Sequence, residues 1–149
     1  MTSIYARLYL ALQQRLNSVV REIKWIEQDF GQESMSMRPG VAFPAALIDF
    51  PDTIYSAMMT EGQLGIVTIS IRLLVAPFSQ SYEGAPINVK KDALKYFEIE
   101  KQLSDALHGW MPAEGYCQPL TRVAARGENR GEIGLRIRTL TFETSFEEY

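Results

Sequence analysis

The stretch LGIVTISIRLLV, residues 64–75, decides the fold, because Val67, Ile69, Ile71, Leu73 and Val75 fall on one side of an extended chain while Thr68, Ser70 and Arg72 fall on the other. A period of two over this length is a strand with one buried face. Upstream, TIYSAMM (53–59) and TEGQLG (60–65) read as its hairpin partner and turn, with Gly62 and Gly65 supplying permissive backbone. Before them AALIDF, bracketed by Pro44 and Pro51, reads as a separate strand, and Lys24 to Phe30 as a short one followed by the loop GQESMSMRPG.

Two helices flank these strands. From Ser3 to about Glu22, the residues Tyr5, Leu8, Tyr9, Leu12, Leu16, Val19, Val20 and Ile23 recur at three- and four-residue steps on one face. A second helix is expected from Asn88, as its cap, through Val89, Ala93, Tyr96, Ile99, Leu103, Leu107 and Trp110, ended by Gly109 and Pro112. The polar loop PFSQSYEGAPIN (77–88) precedes it, and its Phe78 to Ile87 portion is expected to be mobile in the free subunit and to order on assembly.

The chain closes on LTRVAA and EIGLRIRTLTFETSF, a hairpin whose loop RGENRG is framed by Gly127 and Gly131. Its last strand changes phase: Ile133, Leu135 and Ile137 are odd-numbered, but Leu140, Phe142 and Phe146 are even. That shift predicts a bulge or a change of packing partner. Strands in runs rather than in strict alternation with helices predict one α+β domain over residues 1–149, a mainly antiparallel sheet with two helices packed on one face.

Composition narrows the function. At 149 residues, 46% hydrophobic, the chain is long enough for a full core, and its net charge of −3 argues against a surface that attracts nucleic acid or anionic membrane everywhere. The single cysteine, Cys117, and single histidine, His108, exclude an internal disulfide and a Cys/His zinc site, and no cofactor is expected. No apolar run approaches a membrane span, and the N-terminus lacks a leader's pattern, so a soluble, unsecreted protein without membrane partners is expected.

Catalytic chemistry finds no set of residues to carry it. His108, in ALHGW at a helix end, reads as interacting with terminal carbonyls; Cys117 has no thiol-active-site context; and RGENRGEIG is no phosphate loop. A non-enzymatic protein is expected.

The notable charge feature is Arg122, Arg126, Arg130, Arg136 and Arg138 within the last hairpin, opposed there by Glu128 and Glu132. Arg136 and Arg138 share a strand face and suit either nucleic acid backbone or carboxylates of a neighbouring subunit. A small nucleic-acid-binding module is the alternative reading, but base-stacking aromatics are absent between these arginines and specific binding is not expected. Leu94 and Phe97 fall opposite or beside the apolar face of their helix, as Leu10 does on the first. Together Arg136, Arg138, Arg122, Leu94 and Phe97 are the expected subunit contact.

The pieces PAALIDF (44–50), GIVTISIRLLVAP (65–77), VKKDALKYFEIEKQLSDALHGW (89–110) and the terminal LTRVAARGENRGEIGLRIRTLTFETSFEEY (120–149) follow an order that resembles phage tail terminators of the lambda type. That resemblance implies an α+β fold, a hexameric ring capping the finished tail tube, and partners in the tube and the head–tail connector. It also implies a place in the virion tail, assembled in the bacterial cytoplasm, and no catalytic residues. The segments at 31–40 and 77–88 are longer here than in that pattern, so no loop is matched to the ring's lumen or to the tube.

Overall fold

The computed structural model describes residues 2–35, 40–59, 61–76 and 79–149. Helix α1 (Ile4–Val19) leads into strand β1 (Trp25–Gln28), and a 3₁₀ turn (Gln32–Ser34) precedes strands β2 (Ala45–Ala57) and β3 (Gln63–Val75). Helices α2 (Ile87–Ala93) and α3 (Lys95–Leu107) follow, then strands β4 (Thr121–Arg130) and β5 (Leu135–Glu148). The strands form one sheet in the order β1-β2-β3-β5-β4, antiparallel except where β1 runs parallel to β2. This is the α+β class expected.

The main core lies between the helices and one sheet face. Leu8, Leu12 and Leu16 sit at four-residue steps on α1, as Ile99, Leu103 and Leu107 do on α3, and all are buried. They meet Val67, Ile69, Ile71 and Leu73 of β3 and Leu140, Phe142 and Phe146 of β5. Ser3 caps α1 by accepting from the Ala6 N–H (3.5 Å). Polar ties then fix the layer: Arg15 Nε donates to the Ala106 carbonyl (3.0 Å), and Gln13 Nε2 to that of Ile26 (2.9 Å).

A second, smaller core on the opposite face was not expected. Ala45, Leu47, Leu74, Leu135 and Ile137 cluster there, with Trp25, Val41, Phe43, Ala76 and Ile133 against them. It explains the phase change in β5. The β3–β5 register runs unbroken from Val75↔Arg136 to Gln63↔Glu148, so there is no bulge between them; Leu135 and Ile137 simply belong to the second core and Leu140 and Phe142 to the first. Of the two alternatives, the change of packing partner holds.

Beside this second core, Arg72 leaves the solvent position expected for it. Its guanidinium donates to Asp29 (3.2 Å to Oδ1) and to Glu33 Oε1, side chains 13% and 3% exposed. Burial works against the Glu33 charge, yet the hydrogen bond and charge of Arg72 outweigh it and hold this carboxyl below its ordinary range. Gln32, also buried, donates to Glu27 Oε1 (2.6 Å) and to the Gln28 carbonyl (2.8 Å). The 3₁₀ turn is thereby clamped onto the sheet.

Four boundaries need correction. AALIDF and TIYSAMM are not two strands but one, β2, running through Pro51 with a register shift between Asp49 and Asp52. Beyond Ile48 the outer side of β2 has no neighbouring strand, so proline's missing N–H costs no ladder hydrogen bond there. The second helix is two, divided at Leu94, although KKDALKY holds neither Gly nor Pro. The two differ in burial, since α3 buries Ile99, Leu103, Ala106 and Leu107 whereas α2 buries Ala93. Asn88 is inside α2, whose N-cap is Pro86, without a side-chain cap. The hairpin turn falls later than Gly127, which lies within β4; the turn is Gly131–Ile133 closed by Gly134 at φ 70°, where a Cβ would be strained.

Of the expected mobile loop, Phe78 lies outside the described residues. Over 79–86, Ser79 hydrogen-bonds the Asp92 carboxylate, Lys90 Nζ donates to the Glu83 carbonyl (2.6 Å), and Ala85 is buried. No helix among the described residues is long and apolar enough to cross a membrane.

Candidate assembly surface

Strand β4 forms one edge of the sheet, and nine of its ten residues are exposed, Arg130 alone being half-buried. Alternation with its partner β5 sorts the arginines. Arg122, opposite Phe142, lies on the helix-covered face, as do Arg136 and Arg138; Arg126, opposite Thr139, and Arg130, opposite Leu135, lie on the other face. A bulge at Val123 interrupts the ladder between Arg122 and Ala124.

Arg138 is engaged inside its own chain. It forks onto Glu100 of α3, with Nε bonded to Oε1 and an Nη2 contact to Oε2 (3.2 Å), and its guanidinium lies 5.5 Å from the centre of the Phe97 ring. The hydrogen bond to Glu100 raises the Arg138 pKa further and keeps the group charged. Gly127 faces it across the strand pair, where a Cβ would come within 2.7 Å of Arg138 Nη1. Arg122 is engaged too: Nη1 donates to Ser104 Oγ (2.5 Å), and its backbone N–H donates to His108 Nδ1 (3.1 Å). His108 therefore accepts from β4 with its ring, in place of the contact with terminal carbonyls expected for it. Arg130 pairs with Glu132 and reaches Ser34 Oγ (3.4 Å).

Arg126 and Arg136 are exposed and have no ion pair or hydrogen bond among the described residues. Leu94 and Phe97 are partly exposed, at 45% and 43%, and Phe97 stacks near Tyr96 as well as Arg138. Of the five expected contact residues, the fold joins Arg138 to Phe97, ties Arg122 to α3, leaves Arg136 exposed near the start of the interior strand β5, and puts Leu94 at the helix junction.

The opposite edge was missed from sequence. Beyond Ile48, β2 carries exposed Asp49, Asp52, Ile54 and Tyr55 and no basic residue up to Ala57. Asp49 and Asp52 lie on the face of Arg126, since they pair with Ser70 and Thr68 of β3. The Tyr55 hydroxyl is 3.0 Å from that of Tyr5, a hydrogen bond that pushes the Tyr55 pKa up to about 12. The signal for this edge was DFPD itself, two carboxylates around a proline.

Elsewhere, an open cleft of 580 Å³ between the start of α3 and the β2–β3 end is lined by Phe43, Pro44, Val75, Tyr96 and Ile99, with Glu22, Lys24 and Asp92 beside them. Among the described residues no group of three or more His, Cys, Asp or Glu is placed to hold a metal ion. Cys117 is buried, and that burial raises its thiol pKa.

No family model matches the chain, and no curated protein does. Among solved structures, a chain of one described as "Virion of native gene transfer agent (GTA) particle" is similar to it over 99% of both chains, with a TM-score of 0.63 at 16% identity. At that identity the likeness is one of fold, and it extends over the whole length of this single-sheet architecture.

Proposed function

We propose that the chain is a structural protein of a phage-type virion, acting in the tail as a terminator: a ring of identical subunits, hexameric as in the resembling family, that caps the tail tube and meets the head–tail connector. One observation carries this reading, the end-to-end fold match to a chain from a virion particle. The element order quoted above supports the terminator assignment within that class. The chain acts without cofactor and without catalysis, assembles in the host cytoplasm, and has itself and the neighbouring tail and neck proteins as partners. The arginine-rich edge serves assembly in this reading. Two of its five arginines are committed to α3, which leaves little of the cluster to follow a phosphate backbone.

Light scattering of the purified chain, with and without added double-stranded DNA, tests the reading. A closed multimer whose mass does not change with DNA is the expected result. A monomer that binds DNA in a salt-sensitive way would replace it with the nucleic-acid module.

A further inference from the structure

We propose that neighbouring copies join edge to edge, the β4 edge of one copy docking on the β2 edge of the next, with Arg126 set against Asp49 and Asp52. This inference rests on the ring reading above and names the surfaces that would build it.

The two edges terminate opposite sides of the same sheet, and each is open: β4 has β5 as its only strand neighbour, and β2 beyond Ile48 has only β3. Their charges are complementary. Residues 121–130 hold three arginines and one glutamate, whereas 49–57 hold two aspartates and no base. The charges the seam requires are left unsatisfied by the fold, because among the described residues Arg126 has no ion pair or hydrogen bond and Asp49 and Asp52 form no ion pair. Each edge also exposes apolar surface, Val123 at 48% on one and Ile54 at 65% on the other.

The facing of the charges favours a second copy over a different partner. When one sheet abuts the next with helix layers aligned, Arg126 and the two aspartates share the same face, so opposite charges meet across the seam. Such a contact uses two different patches per subunit, which is the heterologous arrangement that closes into rings. Bulges interrupt both edges, at Asp49/Asp52 and at Arg122/Ala124, and Pro51 removes a donor from one. These features block indiscriminate strand addition and leave recognition to the side chains.

The test uses three variants of the full chain: R126E, D49R/D52R, and all three substitutions together. Each is checked for folding by its circular dichroism melt and for assembly by sedimentation velocity at about 0.15 M salt, where charges beyond roughly 8 Å are screened. R126E and D49R/D52R each present like charges at the seam and should weaken association about tenfold or more. The triple variant R126E/D49R/D52R, with both edges reversed, should assemble again, as should a 1:1 mixture of R126E with D49R/D52R, in which every seam pairs acid with base. Folded R126E and D49R/D52R variants that assemble like the wild type, or a folded triple variant that stays dissociated, would overturn the edge assignment while leaving the ring reading standing. A wild-type chain that stays monomeric would overturn both.

Discussion

Replacing Arg72 by methionine removes the cation bonded to both Asp29 and Glu33, whose side chains are 13% and 3% exposed, and leaves both carboxylates beside the small second core. Breaking a buried ion pair by deleting one partner costs about 3–5 kcal/mol, since the remaining charge keeps its desolvation penalty and loses its compensation. For a domain of this size, roughly 2–4 °C per kcal/mol gives a fall in melting temperature of roughly 6–20 °C at neutral pH. The pH dependence is the sharper signature. In the wild type, Arg72 holds Glu33 below its unfolded pKa, so the stability from this pair is present above the ordinary carboxylate range and is lost as pH falls through the depressed value. In the variant, burial raises the Glu33 pKa with only the weaker charge effect of Arg130 left to oppose it, so stability is low at neutral pH and returns as pH falls and the carboxyl takes up a proton. The gap between wild type and R72M is therefore widest near neutrality and narrows below about pH 4–5, and adding E33Q to R72M recovers part of the loss at pH 7. Differential scanning calorimetry from pH 4 to 8 measures it. A gap below roughly 2 °C at pH 7, or one that does not change with pH, would refute the account of this network.

Gly65→Val places a side chain where a Cβ already comes within 2.6 Å of the Phe146 ring, so this overpacked site should lose about 1–3 kcal/mol in urea titrations. Leu103→Ala deletes a fully buried side chain between α3 and the sheet and should cost about 2–5 kcal/mol by the same titration. Arg138→Ala should cost about 1–2 kcal/mol, more than an exposed pair would, because both partners are mostly buried and the Phe97 ring loses its cation. Cys117, buried with its thiol pKa raised, should react with a disulfide reagent at pH 8 only as fast as the chain opens, and immediately in denaturant.

The sequence made β3 legible because its alternation reflects one buried face over most of its length. At Leu73–Leu74–Val75 the alternation gives way to consecutive apolar residues, and that run marks where the second core covers the other face as well. Read with that rule, Arg72 would have been expected near a buried partner rather than in solvent. Pro51 misled in the opposite direction, since a proline ends a central strand but not one whose outer side is open. The division at Leu94 had no local signal. In the hairpin, residue type identified the arginines, but which of them stay unpaired depends on α3, whose Glu100 and Ser104 lie 38 and 18 residues from Arg138 and Arg122. Distances of that kind are fixed by the topology and not by any nearby pattern.

The central claim is that this chain closes a virion tail and joins it to the head, and electron microscopy of particles made with and without its gene tests it most directly. The account predicts that particles lacking the chain accumulate as separate heads and tails, that purified wild-type chain forms closed rings, and that adding those rings restores joined particles. Complete, normally joined particles in the absence of the chain would contradict it.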